Sequence, residues 1–253
     1  MASFVHRRVA TALALCAAAA AGAALAPSAA RAQLMDPYGT KVRTGPPRFF
    51  GGGELVYASP QGDFRNYVNE GYGAAGHFIL GADRTGILGL RFDVGFLNYG
   101  NERQRYCLST TISCRIQVDV NTNNNIFMLG VGPQLMLPTG TVRPYLNGSI
   151  GLSYFWTESS LEGSNSSTPF TSTRNFSDAV LASTAGAGIY VPVRRGRQPI
   201  SLDVGARYHW NGQTSYLREG SITDNADGSI TIAPIKSRTD LVTYHVGITV
   251  GTP

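Results

Sequence analysis

Residues 201–211 read Ser-Leu-Asp-Val-Gly-Ala-Arg-Tyr-His-Trp-Asn, an unbroken alternation. Leu202, Val204, Ala206, Tyr208 and Trp210 fall on one face, and Ser201, Asp203, Gly205, Arg207, His209 and Asn211 on the other. Successive side chains of a strand point to opposite sides, so this strand has one apolar face and one polar, charged face. The pattern recurs along the chain in segments of about ten residues, the length of a tilted strand crossing a bilayer. The fold class that follows is all-β: an eight-stranded, antiparallel, up-and-down transmembrane β-barrel.

The eight strands are expected near 49–58, 71–80, 87–99, 125–137, 142–157, 179–193, 200–211 and 241–251. Between them, 81–86, 138–141 and 194–199 are short and turn-rich, whereas 59–70, 100–124, 158–178 and 212–240 are long and polar. Short and long alternate strictly. In a meander this puts every short turn at one rim and every long loop at the other, the arrangement of outer-membrane barrels.

The apolar face must look outward. An eight-stranded barrel is just wide enough inside for side chains to fill. Leu88, Leu90, Phe92, Val94, Leu129, Val131, Leu146, Ile150, Val246 and Ile248, repeated around the ring, would overpack such a lumen. The opposite face is small and polar, with Gly89, Gly130, Gly132, Asn147, Ser149, Gly151, Ser153, Gly186 and Gly188. It also carries Glu54, Asp93 and Asp203 with Arg91, Arg143 and Arg207, three acids and three bases. Buried charges are costly unless paired, so the balance implies a salt-bridge network plugging the lumen, with a gated ion path as the functional alternative. Large aromatics gather on the apolar face at the long-loop end: Tyr57, Tyr72, Phe96, Phe127, Tyr154, Trp156, Tyr208, Trp210 and Tyr244. Tyr and Trp favour the membrane interface, so these residues read as a girdle.

Residues 1–32 have the form of a secretory signal peptide: His6, Arg7 and Arg8, an apolar run over 9–25, and the small-x-small site Ala30-Arg31-Ala32. Residues 33–48, polar and rich in Pro and Gly, are expected as a flexible periplasmic lead-in, and 49–253 as the barrel. No later segment has the roughly 18 continuous apolar residues of a membrane helix. With Arg7, Arg8 and Arg31 removed, the formal charge falls from +5 to +2, 18 basic residues against 16 acidic. No basic run with interleaved aromatics remains, so no nucleic-acid partner is implied. Cys107 and Cys114 stand in a polar stretch of an exported chain and suggest a disulfide.

With strands, loops and girdle placed, the chain resembles the small eight-stranded outer-membrane β-barrel proteins of the OmpA transmembrane-domain and OmpX type, over about 49–251. The resemblance implies the outer membrane of a Gram-negative-type cell envelope, contact with its lipids, insertion by the barrel-assembly machinery, no cofactor, and a non-enzymatic protein displaying four loops to an unidentified ligand. Members usually end in an aromatic residue that the machinery reads, whereas here Tyr244-His245-Val246-Gly247-Ile248-Thr249-Val250-Gly251 is followed by Thr252-Pro253.

Other chemistry is sparse. His77, His209 and His245 all fall on the inward face. His209 and His245, on adjacent strands near the long-loop rim, are placed to face each other as a metal pair or proton relay, although lumen histidines are more often hydrogen-bonded filler. Arg207-Tyr208-His209-Trp210-Asn211-Gly212 is faintly similar to the His-x-Ser-Asn segment of outer-membrane lipid A deacylases, with Asn211 where the serine would be. A lipid-modifying enzyme is therefore one alternative, and a soluble exported barrel binding a small ligand is another. In the first long loop, 63–68 suits a short helical turn capping the barrel mouth, with Phe64, Tyr67 and Val68 on one side.

Overall fold

The computed structural model describes residues 49–107, 117–163, 168–196, 198–225, 227 and 229–252. The expected signal peptide and lead-in, 1–48, lie outside the described residues. Eight strands close a ring: β1 (Phe49–Pro60), β2 (Gly71–Gly81), β3 (Leu88–Cys107), β4 (Gln117–Met136), β5 (Arg143–Gly163), β6 (Pro169–Arg194), β7 (Ile200–Asn211) and, after the short strands β8 to β11 of the last long loop, β12 (Leu241–Thr252). Each pairs antiparallel with its neighbour in the ring, and β12 returns to β1, with Phe49 opposite Thr252 and Pro60 opposite Leu241. Every wall strand is thus bonded on both sides through the apolar zone, as hydrocarbon demands of a backbone that water cannot reach. No helix among the described residues is long and apolar enough to cross a membrane, which says nothing of crossing by strands.

The sidedness is unambiguous. Leu90, Val131, Ile150 and Val204 are 40, 38, 71 and 38 % exposed, whereas Arg91, Asp203 and Arg207 are 1, 0 and 7 % exposed. A soluble barrel built round an apolar ligand would invert those values, so that alternative is overturned. An exposed apolar band of this extent is suited to lipid.

Strands three to six exceed their expected lengths. The ladder of β3 with β4 continues from Gly100 opposite Asn124 to Cys107 opposite Gln117, and that of β5 with β6 continues from Glu158 opposite Arg174 to Glu162 opposite Pro169. Alternation disappears there because water bathes both faces. Pairing persists because each backbone still finds its neighbour, and a register shift at Asn98/Gly100 marks the change. The described residues of the last long loop form two ribbons, β8 (Gln213–Tyr216) with β11 (Ile235–Arg238) and β9 (Ile222–Asp224) with β10 (Ile230–Ile232). Gly62–Asn66 forms the short 3-10 turn expected in the first long loop.

Two glycine roles shape the wall. At the short β2–β3 turn, Gly86 has φ +77°, and Asp83 accepts bonds from the Gly86 and Leu88 amides. Between β4 and β5 the backbones come so close that a Cβ on Gly151 would overlap the Leu129 carbonyl, and one on Gly132 the Gly148 carbonyl. The inward face is small at these points because the wall itself leaves no room.

Gly151→Ala is expected to block closure between β4 and β5, read as loss of the heat-modifiable, fast-migrating form on a gel. Ile150→Arg, on the lipid face, is expected to cost about 2–4 kcal/mol near the bilayer midplane, measured by denaturant unfolding in lipid vesicles.

Candidate functional site

Ring closure brings charges from several strands to one level of the lumen. Glu54 on β1 stands at the centre. Its Oε1 accepts from Arg207 at 2.8 Å, and it has Arg91 at 3.7 Å and His77 Nδ1 at 3.8 Å. Its Oε2 faces His245 Nε2 at 3.4 Å. Asp93 bridges the two guanidiniums, at 2.7 Å from Arg91 and 3.3 Å from Arg207. Asp203 accepts from the Tyr145 hydroxyl at 2.8 Å, and that hydroxyl lies 2.9 Å from His245 Nε2. Arg91 donates to Gln134 at 2.9 Å and to Tyr190 at 3.3 Å.

This set differs from the expected one at a single position. Arg143 lies two residues nearer the short-turn rim than Tyr145, opposite Tyr190, and makes no ion pair among the described residues. The rings of Tyr145 and Tyr190, stacked at 4.5 Å, occupy the lumen it would have had to cross. His209 and His245 do not face each other either. His209 pairs in register with Leu241 and bonds Thr243, whereas His245 pairs with Gly205 and joins the ion cluster. Two strand neighbours four residues apart in register cannot share an ion. His77 reaches Thr249 at 3.0 Å through its Nε2. Sequence reading missed Tyr145, Tyr190 and Gln134, although all three sit at inward positions of their strands.

Apolar groups seal both ends of this cluster. Toward the short turns, Ile79, Met136, Tyr145 and Tyr190 pack together with Phe50. Toward the long loops, Val56, Leu97, Tyr99, Ile126, Phe155 and Leu241 point inward and receive Phe64, Val68 and Tyr216 from above. Phe64 meets Tyr216 edge-on at 5.0 Å, Tyr99 at 5.8 Å and Phe155 at 6.2 Å. Phe64 and Val68 thus cap the mouth, but Tyr67 is 41 % exposed, with the Arg218 guanidinium over its ring. The inward face at this level is apolar, contrary to the expected small and polar lining. Val56, Leu97, Ile126 and Phe155 sharing one end of their strands is the signal that could have revealed it. Between the seals a cavity of about 40 Å³ borders Asp93, Ser153, Arg207, His209 and Thr243, room for ordered water.

The nine outward aromatics meet in groups, some across the ladders and some along a single strand. Tyr57 lies 5.4 Å from Tyr72 and 6.3 Å from Tyr244, Trp156 is 5.7 Å from both Phe96 and Tyr154, and Tyr208 is 4.6 Å from Trp210. Phe127 stands in register between Phe96 and Tyr154. Above them, Asp119 on β4 accepts from Arg105 at 2.8 Å and Arg103 at 2.7 Å, which hold its carboxyl down at about 2. Cys107 ends β3, and Cys114 lies outside the described residues.

No family model matches the chain, and no curated protein matches it. Among solved structures it is similar to the Neisserial surface protein A, at 16 % identity and TM-score 0.44 over 80 % of this chain and 96 % of that one. It is also similar to the attachment invasion locus protein Ail of Yersinia pestis, at 11 % identity and TM-score 0.41 over 80 % and 96 % of the two chains. A major outer membrane protein of Thermus thermophilus gives 11 % identity and TM-score 0.42 over 79 % and 98 %. At these values the architecture rests on the ladder and the burial of this chain's own residues.

Glu54→Ala would take from Arg207 its 2.8 Å partner and leave Asp93 as the one carboxylate on both guanidiniums, and is expected to cost roughly 3–5 kcal/mol, against about 1 kcal/mol or less for Arg143→Ala, by denaturant unfolding in detergent. Asp119 stabilises the β3–β4 extension through its ionised form, since its folded value lies below the ordinary 3.8. That contribution is present above about pH 4 and lost as pH falls through about 2. Amide exchange in 117–124 is expected to accelerate across that window, and not in an Asp119→Asn variant.

Proposed function

We propose that the chain is a non-enzymatic outer-membrane β-barrel protein: a sealed anchor that carries an interaction surface outside the cell. The observation that supports this is the unequal height of the wall. Strands β3 to β6 rise past the aromatic residues as a four-stranded sheet. The outer edge of β6 over 169–175 has no ladder partner among the described residues and is mostly exposed. A row of unpaired backbone donors and acceptors accepts an added strand. The opposite edge, on β3, is partly occupied: Glu102 accepts from the Gly220 amide, and Tyr106 donates to Asp224. A partner with an extended segment therefore has one open side to choose.

The finer parts of this reading are a cleaved signal peptide, insertion by the barrel-assembly machinery, and a Cys107–Cys114 disulfide tying the tip of the β3–β4 extension. Oxidising export favours the last, and closing so short a loop contributes on the order of 2–3 kcal/mol. The lipid-enzyme alternative gains nothing from the geometry. His209 faces the lumen and bonds Thr243, behind the wall from any lipid, and Asn211 is engaged by Ser153 and the Thr239 carbonyl.

Single cysteines test the placement. Phe170→Cys is expected to react with a membrane-impermeant maleimide on intact cells, and Thr85→Cys, at a short turn, only after the envelope is opened. The reverse labelling would sink the orientation. Recording in planar bilayers is expected to give no large steady openings, and lipid A from cells with and without the protein is expected to carry the same acyl chains.

A further inference from the structure

With Arg143 outside the cluster, three carboxylates face two guanidiniums, so the guanidiniums by themselves leave one carboxylate unmatched in a lumen packed with apolar groups at both ends. The geometry shows where that deficit lies. Arg207, Arg91 and His77 all address Glu54 Oε1. Glu54 Oε2 has no hydrogen-bond partner, nor has Asp203 Oδ2, and both side chains are fully buried. Glu54, Asp203 and His245 form a group in which one ligating atom from each lies within 4.8 Å of the others.

We propose that this is a metal site. Glu54, Asp203 and His245 take one divalent transition-metal ion of the zinc class, with the Tyr145 hydroxyl as fourth donor. A tetrahedral shell with bonds of about 2.0–2.1 Å sets its donors roughly 3.3 Å apart. The donors here, Glu54 Oε2, His245 Nε2, Asp203 Oδ1 and the Tyr145 hydroxyl, stand at 2.8 Å (Tyr145 to Asp203), 2.9 Å (Tyr145 to His245), 3.4 Å (Glu54 to His245) and 3.7 Å (Asp203 to His245), so that of the two unpartnered oxygens Glu54 Oε2 is the one in the shell. The imidazole selects a transition metal over calcium or magnesium, which prefer all-oxygen sites. Arg207 and Arg91 on the far oxygen of Glu54 act as orienting partners of a ligating carboxylate. The seals above and below mean that the ion is taken up while the barrel closes and is trapped afterwards.

The full chain is refolded into detergent with Zn(II), with Co(II) or without metal, treated with a chelator, desalted and assayed for bound metal. Folding is checked by heat-modifiable migration. The expected result is one ion per folded chain that survives chelation and is released on heating, and a Co(II) form with the strong visible bands of a tetrahedral site. Asp203→Asn and His245→Gln are expected to bring retained metal down to background, while His209→Ala, outside the site, keeps it. Should a ligand variant fail to fold, the Co(II) spectrum of the unmodified chain still decides. The proposal is overturned by a folded chain that retains no ion, by an Asp203→Asn variant that does, or by imidazole nitrogen resonances showing His245 doubly protonated in the zinc-refolded sample, which would make a proton the missing charge.

Discussion

A backbone inside hydrocarbon has no water to bond, and the rest of this molecule is arranged around that constraint. It forces β12 back onto β1 and leaves no free strand edge at the level of the apolar belt. It also fixes which side chains go where. Once the ring holds only eight strands, the bulk of Leu, Val, Ile and Phe has to face lipid, and what remains inside is small, polar or charged.

The charged interior then creates its own requirement. Glu54, Arg91, Asp93, Asp203 and Arg207 are each tolerable only because the others are near, and their carriers lie on β1, β3 and β7, far apart in sequence. Replacing one partner leaves the rest exposed to a medium that solvates them poorly. Tyrosines and glutamine supply the hydrogen bonds that ion pairs alone do not. Aromatic groups pack over the set at each end. The cluster is held by mutual need rather than by the wall.

The ring, its order and its sidedness were legible in the sequence because period-two alternation maps directly onto inside and outside. Val204 and Asp203 are neighbours in the chain and opposite in environment. Three things were not legible. Strand length beyond the membrane was hidden, since the side chains of Gly100 to Cys107 carry no alternation even though the backbone ladder continues. Depth within the lumen was hidden as well: inward direction follows from parity, but whether His245 meets His209 or Glu54 depends on register and strand tilt. Finally, charge balance by counting misled, because Arg143 has the right parity and the wrong height.

The tall half of the wall also sets a range of action. From Phe96 in the aromatic ring to the end of β3 is a run of about eleven residues, and at roughly 3.3 Å of rise per residue and a tilt of about 45° this lifts the tip on the order of 25 Å. Strands β3 to β6 carry the wall to that height, and on the β3 side the last long loop reaches the level of Tyr106 beside them. Two molecules drifting in the same leaflet therefore meet with a front and a back, and whatever docks from outside approaches from a fixed compass direction relative to the ring.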